Sequence, residues 1–578
     1  MSTLSDKRLI LSIANKEERK TIYKFRHKIY AEELGQHAVN TFNIIEDELD
    51  LVNHYIIAKN CNEIVGFVSI TAPSSNKYSV EKYFDRSIIP FHFDEYLFEV
   101  RLLTVLKENR NSNIAIALMY ASFRWVQSHG GKNIIAICRT ELLEMYRKAG
   151  INSLKKTVKS GKLTYELSYA SIEDLQKLVE NNWVNYKSLE NKVDWQLPYE
   201  YFPPSSCYHG GSFFKDIGED LQTLTKAKEI INADVLDAWF PPSPKILQAL
   251  QENLSWLIKT SPPTHAEGLI KIIAEVRGVN ENTILPGAGS SDLIFLALRS
   301  LLNKTSKVLI IDPCYGEYIH VLEQVIQCNV TRFNLTRKEG FTINTSLLLS
   351  EISKGYDMVV IVNPNSPTGV YVAKSEMEEM ISEIPITTIV WLDETYIDFV
   401  DSRYSLEKFA AKSENIMICK SMSKVYALSG ARAAYICSPP HLIEKLKQIS
   451  PPWAVSLIAQ AAAIAALKDQ KYYTKKYAET NQLRMKLKQK LLELGITEVI
   501  EGVANFLLFY LPAHFPTTEK FIESCKKEKL FIRNVANMGN NLGLNAVRIA
   551  VKDDETNNKM INIMKLILDA NKEKQDNT

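Results

Sequence analysis

No stretch of this 578-residue sequence is long and apolar enough to cross a bilayer; the most alanine-rich run, Leu457 to Leu467, is too short and ends in charge. The opening residues, M-S-T-L-S-D-K-R-L-I-L-S-I, hold too short an apolar segment for a signal peptide. Cysteine is scarce. The eight are scattered and most lie in apolar runs, as Cys138, Cys419 and Cys437 do. That excludes a disulfide framework and suits free thiols in a reducing compartment. Neither zinc-type Cys/His spacing nor an arginine-rich arm occurs, and a formal net charge of +2 supplies no field for nucleic acid. The sequence therefore predicts a cytoplasmic protein with no metal site and no nucleic-acid or membrane partner.

What is present is globular, with 46% hydrophobic and 24% charged residues. The length calls for about three domains. Residues 1 to 170 read as an α+β sheet domain with its own core. Leu9 to Ile13 is a strand, Glu17 to Leu34 has helical apolar spacing, and His54 to Ala58 with Ile64 to Thr71 make a hairpin. A strand (Tyr96 to Leu106), a helix (Ile114 to His129), a strand (Asn133 to Cys138) and a short helix (Glu141 to Lys148) follow. Glu99 and Arg101 alternate with Val100, so both face one side of the sheet, either a cleft or solvent.

The segment F-R-H-K-I-Y-A-E-E-L-G, with the acidic Glu46, Asp47 and Asp50 downstream, resembles the GNAT acyltransferase superfamily, in its N-acyl amino acid synthase and acyl-homoserine lactone synthase branch. The resemblance implies that backbone N–H groups near Arg110 to Ala115 hold the pyrophosphate of an acyl donor, acyl-CoA or acyl-carrier protein. It implies that Tyr146, in E-M-Y-R-K-A-G-I, protonates a departing thiolate, with Glu99 and Arg101 in the cleft. The turn departs from the pattern. It reads R-N-S-N-I-A where the superfamily has R-x-x-G-x-G/A, so Asn113 brings a Cβ to the place of the first glycine. The alternative is a regulatory or interaction domain of the same fold.

Residues 171 to 230 read as a linker and N-terminal arm. Ser171 to Val179 continues as a polar helix, and Trp183 to Tyr208 is aromatic, proline-containing and without periodicity, an irregular segment that packs on something. His209-Gly210-Gly211 follows as a turn.

From 231 to 470 helices alternate with short apolar runs. Val308 to Ile311, Met358 to Val362, Thr388 to Leu392, Ile416 to Cys419 and Ala433 to Ile436 fit buried, mostly parallel strands. Ligands of such sheets gather beyond the strand ends, where five loops carry chemistry. Gly287-Ala288-Gly289-Ser290-Ser291-Asp292 opens a helix and offers N–H donors to a phosphate. Asp312-Pro313-Cys314-Tyr315-Gly316 places an aromatic ring at a strand end. Asn363-Pro364-Asn365-Ser366-Pro367-Thr368-Gly369 and Trp391-Leu392-Asp393-Glu394-Thr395-Tyr396 end two more strands, the second with a buried acid that needs a partner. The fifth, S-M-S-K-V-Y-A-L-S-G-A-R, sets Lys424 among Ser421, Ser423 and Arg432, a lysine able to attack an aldehyde beside groups that suit a phosphate ester.

Together the five loops resemble fold-type I pyridoxal phosphate enzymes, in the branch of histidinol-phosphate aminotransferase and threonine-phosphate decarboxylase. The fold so implied is α/β, a GNAT-like α+β domain followed by a mostly parallel sheet with helices on both faces and a small C-terminal α+β subdomain at 471 to 578. The implied cofactor is pyridoxal 5′-phosphate. By position Lys424 is its Schiff-base lysine, Asp393 pairs the pyridine nitrogen, Tyr396 binds the 3′-oxygen and Tyr315 stacks on the ring. Ser290, Ser291, Asp292, Ser421, Ser423 and Arg432 hold the phosphate, Asn365 and Ser366 line the ring, and Arg548 takes a substrate carboxylate. Ser366 stands where the branch has an asparagine, and Asp237-Ala238-Trp239-Phe240-Pro241 replaces its N-E-x-P segment. Trp239 and Trp453 are therefore candidates for a distinct substrate pocket.

Two reactions stay open. The overall motif set favours aminotransfer on an amino acid or a derived amine. His209-Gly210-Gly211, K-V-Y-A-L-S-G-A-R and Pro452-Trp453-Ala454-Val455 look more like the decarboxylase. The resemblance also implies a homodimer through the large domain.

Overall fold

The computed structural model describes residues 9–75, 77–89, 92–110, 112–198, 210–218, 221, 223–512 and 514–576, and divides into two compact units, Met1–Pro204 and Ser205–Thr578. The first unit is built on one sheet. Its strands are β1 (Leu9–Ile13), β2 (His54–Asn60), β3 (Glu63–Thr71), β4 (Leu97–Val105), β5 (Asn133–Arg139), β6 (Asn152–Ser160), β7 (Leu163–Ser171) and β8 (Val193–Gln196). They lie in the order β6-β7-β5-β4-β3-β2-β1-β8. The β2–β3 hairpin turns on Cys61 and Asn62, both with positive φ, which matches the right-handed twist of the strands. Asn15 and Glu18 form a capping box on the helix Lys16–Arg26, and its continuation His27–Glu33 widens to π geometry rather than staying α-helical as expected.

Part of the expected connector belongs to this sheet. β8 pairs in parallel with β1, and the helices Ile172–Asn181 and Trp183–Lys192 precede it. The segment 183–208 was expected to be irregular, but helix and strand occupy its first part, and 199–209, His209 included, lies outside the described residues. Polar alternation hid β6, whose side chains are mostly exposed.

The second unit contains β9 (Ile231–Asn232), β10 (Ile284–Gly287), β11 (Lys307–Asp312), β12 (Asn329–Asn334), β13 (Met358–Val362), β14 (Ile389–Asp393), β15 (Ile416–Ser421), β16 (Ala434–Cys437), β17 (Glu498–Val499), β18 (Phe506–Tyr510), β19 (Leu530–Phe531), β20 (Arg533–Asn534) and β21 (Ala546–Ala550). Its main sheet runs β10-β16-β15-β14-β13-β11-β12, parallel except for β16, which is antiparallel to both neighbours. Alternation along each strand divides the core in two. Leu309, Ile311, Val359, Ile361, Val390, Leu392 and Ile418 face one layer of helices. Val308, Ile310, Met358, Val360, Trp391 and Met417 face the other. The second sheet, β17-β18-β21-β20, is antiparallel and shares the first of these cores.

Beneath the strand ends lies a fully buried ionic cluster. Lys420 Nζ stands 3.2 Å from Asp398 and 3.6 Å from Glu394, and Arg277 reaches Asp398 and Glu407 at 3.5 Å. Tyr435 donates to Glu407 at 2.7 Å. Burial pushes the Glu394 carboxyl up, whereas Lys420 and Arg277 outweigh burial at Asp398 and hold it down.

Candidate active site

Lys424 sits in the single helical turn Met422–Val425 that follows β15. Its Nζ is 3.0 Å from Asp237 Oδ1 and 3.4 Å from Ser429 Oγ. Burial pushes this amine below the ordinary lysine value. Asp237 works against that shift, and Arg548 and Arg432 add to it. The result is an amine that is neutral more often than a surface lysine, which nucleophilic attack requires.

One end of the site is an anion cradle. The helix Ser290–Leu301 begins directly after Gly289, whose φ is +97°. A Cβ there would come within 2.4 Å of Arg432 Nη2, so only glycine lets the guanidinium lie against this helix start. Ser421 Oγ accepts from Ser423 N–H at 3.3 Å, and both serines are buried at the end of β15. The Asp292 carboxylate accepts from Ala288 N–H at 2.9 Å and so shapes the loop. The Ser291 hydroxyl is spent on Glu317, at 2.9 Å, leaving its backbone to face an anion.

The middle of the site suits a flat ring. Asp393 ends β14, and burial pushes its carboxyl up. It accepts from Tyr318 O–H at 2.8 Å and Thr395 N–H at 2.8 Å, and Trp391 Nε1 in turn donates to Tyr318 at 2.8 Å. Tyr315, in the loop after β11, donates to the buried Glu317 at 2.7 Å. Asn365 donates to Pro313 O and to Thr368, while its Oδ1 is buried with no hydrogen-bond partner among the described residues. Tyr396 is buried beside Ser366 and Arg548, and its phenol is pushed up by burial. Arg548 comes from β21. Its Nη1 lies 3.4 Å from Ser366 Oγ, its Nη2 lies 3.4 Å from Asp234 O, and its Nε is buried without a hydrogen-bond partner among the described residues. Burial lowers this guanidinium to about 10. A buried cation facing neutral oxygens is a receptor for an anion.

Residues 231–563 match the family Aminotransferase class I and II. The chain belongs to this family. It is 27% identical over 360 residues to histidinol-phosphate aminotransferase 2 of Carboxydothermus hydrogenoformans, covering 61% of this chain and 96% of that protein. The histidinol-phosphate aminotransferase of Clostridium acetobutylicum matches in structure with a TM-score of 0.54 and 26% identity, over 59% of this chain and all of that one. L-Threonine-O-3-phosphate decarboxylase of Porphyromonas gingivalis has a TM-score of 0.50 at 21% identity, over 59% of this chain and all of that one, and so shares the fold.

Two sequence candidates of the aminotransferase unit do not converge on Lys424. The Trp239 indole donates to Thr480 at 2.8 Å under the Lys476 ammonium, because the side chain packs on the helix Gln470–Glu493. Trp453 is 56% exposed, at a positive φ, with only its backbone held, to Thr264 O at 2.9 Å. Gly210 and Gly211 lie against the Asp234 carboxylate. Other residues do converge and went unread. Asp237, quoted only as a departure, is Lys424's partner, and Glu317 and Tyr318 lie just beyond the Tyr315 motif. Lys552, which interacts electrostatically with both Asp237 and Lys424, carried no motif.

In the first unit β4 and β5 pair only from Leu97 to Glu99 and then part. A cavity of about 260 Å³ fills the opening, lined among others by Arg26, Tyr30, Asp47, Arg101, Arg139 and Tyr146. Tyr146 lines this cavity, its phenol pushed up by burial. Glu99 does not. It is fully buried and accepts from Ser79 N–H, Ser79 O–H and Val80 N–H, so it anchors that loop instead of facing the cleft. Arg110 is turned to Glu33 at 2.9 Å and to Val105 O at 3.2 Å, outside the cavity.

Proposed function

We propose that residues 205–578 form a pyridoxal phosphate-dependent aminotransferase acting on an amino acid or an amino acid-derived amine. The observation that carries this reading is the burial-lowered Lys424 amine at the ends of β14 and β15, with Asp393, Tyr396 and Arg548 around it. The residues present fit the cofactor. Gly289 leaves room that a Cβ would fill beside Arg432, and Asn365 Oδ1 is buried with no hydrogen-bond partner.

When bound, pyridoxal phosphate draws electrons from the substrate's Cα. Lys424 Nζ would carry the proton from that carbon to the cofactor's aldehyde carbon, so that the substrate leaves as an oxo product. Asp393 holds a proton on the ring nitrogen, and Tyr318 and Thr395 fix the direction of its oxygens. Tyr396, next to Ser366, would donate to the 3′-oxygen, and Tyr315 would cover a ring face. The Gly289–Asp292 N–H groups, Ser421, Ser423 and Arg432 bind the phosphate, and Arg548 binds the α-carboxylate. Decarboxylation is the second reading, supported by the loop K-V-Y-A-L-S-G-A-R and the fold shared with the Porphyromonas enzyme.

For the first unit the reading is a GNAT-like acyltransferase using acyl-CoA or acyl-carrier protein. Its support is the parting of β4 from β5 over a polar cavity, with an apolar pocket lined by Phe123, Leu175 and Leu178 sharing Val100, Met119 and Ile151 with it. The second unit is read as a homodimer-forming surface. The helix Pro244–Lys259 exposes Leu247, Leu254 and Ile258 along one side, an apolar face that a second copy would cover.

The test is an absorbance spectrum of the pure protein, alone and with a panel of amino acids and histidinol phosphate. A yellow band lost in Lys424→Ala supports the cofactor. Release of the matching oxo product supports aminotransfer, carbon dioxide release favours decarboxylation, and a protein that pyridoxal phosphate cannot colour overturns the reading.

A further inference from the structure

The turn that follows Tyr315 carries a buried carboxylate that no step of the reaction uses. Glu317 lies in the short helix Gly316–Ile319 after β11 and is 1% exposed. Its Oε2 accepts from two hydroxyls, Ser291 at 2.9 Å and Tyr315 at 2.7 Å. Residues two apart on one helix do not face each other. Tyr315 and Glu317 meet because Tyr315 precedes the helix, with φ −60° and ψ 122°, so the helix does not set the direction of its side chain.

Ser291 belongs to the start of the helix Ser290–Leu301, 26 positions from Glu317. One carboxylate oxygen therefore joins the anion cradle to the Tyr315 loop. The backbone of that loop is held elsewhere. Pro313 O accepts from Asn365 at 3.0 Å, and Cys314 N–H donates to Met538 O at 3.2 Å. Tyr318, the next residue, is anchored on its own between Trp391 and Asp393, at 2.8 Å from each. A fixed backbone still lets a tyrosine ring swing about Cα–Cβ among staggered positions. A hydrogen bond at the phenol oxygen, the atom farthest from the backbone, selects one of them. Stacking on a flat ring depends on that selection, because offset and tilt set its strength. Burying a carboxylate is costly, and an apolar side chain would serve packing alone.

We propose that Glu317 is a positioning residue of the Lys424 site: held by Ser291, it sets the Tyr315 ring over the cofactor. This rests on the pyridoxal phosphate reading and adds to it a residue that acts only through its neighbours.

The test uses the full chain stripped of cofactor and titrated with pyridoxal phosphate. It reads the dissociation constant and the circular dichroism of the bound cofactor's yellow band. Glu317→Met removes the acceptor, Tyr315→Phe removes the donor but keeps the ring, and Glu317→Gln keeps an acceptor. Glu317→Met and Tyr315→Phe should each weaken cofactor binding about tenfold, as loss of a hydrogen bond to a carboxylate does, and shrink the dichroic band. Glu317→Gln should stay within about threefold of the parent. Adding Glu317→Met to Tyr315→Phe should cost less than about twofold more, since both break one bond. A Glu317 that only supports the fold lowers the melting temperature of the cofactor-free protein and leaves both readouts at parent values. That result, or losses that multiply in the double variant, overturns the proposal. Where Glu317→Met does not fold, Tyr315→Phe decides: a tenfold loss with a weaker band upholds the proposal, and parent values overturn it. A parent protein that never turns yellow fails the cofactor reading and takes this inference with it. A yellow protein indifferent to both substitutions fails this inference alone.

Discussion

The two units each open a cleft where strands end or part, yet they treat buried charge in opposite ways. Around Lys424 the groups are left wanting. Among the described residues the Arg548 guanidinium hydrogen-bonds only to neutral oxygens, and Arg548 Nε and Asn365 Oδ1 have no hydrogen-bond partner. In the first unit the charges answer one another. Arg26 meets Asp50 at 2.6 Å, Arg101 meets Asp47 at 2.5 Å, and Glu99 is saturated by Ser79 and Val80. Unsatisfied buried groups cost stability unless a ligand completes them, so the Lys424 site is built to receive one. Self-paired clusters hold their shape without one.

The comparison can be broken at several points. The largest effect is expected from Lys424→Ala, which should abolish the yellow absorbance and reduce turnover by about a thousandfold or more. Asp393→Asn comes next, with a loss on the order of 10² to 10³ in kcat and a weakened cofactor, read from turnover and from cofactor titration. Arg548→Met should raise KM for α-carboxylate substrates by about a hundredfold, since a charged hydrogen-bonded pair in a buried site is lost. In the first unit, Arg101→Met should cost about 3 kcal/mol of stability without touching the spectrum, because Asp47 keeps its charge with less compensation.

The smallest expected effects concern pH. Burial raises the Asp47 carboxyl but Arg101 and Arg26 more than reverse it, so its folded value is depressed. That contribution is present above the unfolded value of about 3.9 and fades as pH falls through the folded value. Arg101→Met should flatten the acid limb of the stability profile. At Lys424, Asp237 opposes the lowering, so Asp237→Asn should move the pH midpoint of cofactor capture downward, followed by the rate at which the yellow band forms.

Much of the second site was legible because its groups sit at strand ends in short local motifs. Asp393 with Tyr396, Asn365 with Ser366, and Lys424 with Arg432 each fall within nine residues of one another. What escaped was assembled from afar. Asp237 meets Lys424 across 187 positions, and Lys552 interacts with both of them from elsewhere in the chain, relations that no local spacing encodes. Trp239 misled for a related reason. Its hydrogen bond to Thr480 lies 241 positions away, and a bulky residue near a site reads as pocket until its partner is known. In the first unit, strand alternation placed Glu99 and Arg101 on one face correctly, yet only the loop at Ser79 decides that one is anchored and the other lines the cavity.

The ionic cluster under the sheet bears on how this site moves. Glu394 directly follows Asp393, and Lys420 directly precedes Ser421, so two strand ends that carry the chemistry are moored to Asp398, Glu407 and Arg277. Opening either end locally would expose a partnered charge, which makes it nearly as costly as unfolding the unit. In deuterated solvent the amides of Glu394 and Met422, bonded to Cys419 O and Ala433 O, should therefore be among the last to exchange. The floor of the site stays rigid, and whatever adjusts to a substrate is left to the loops above it.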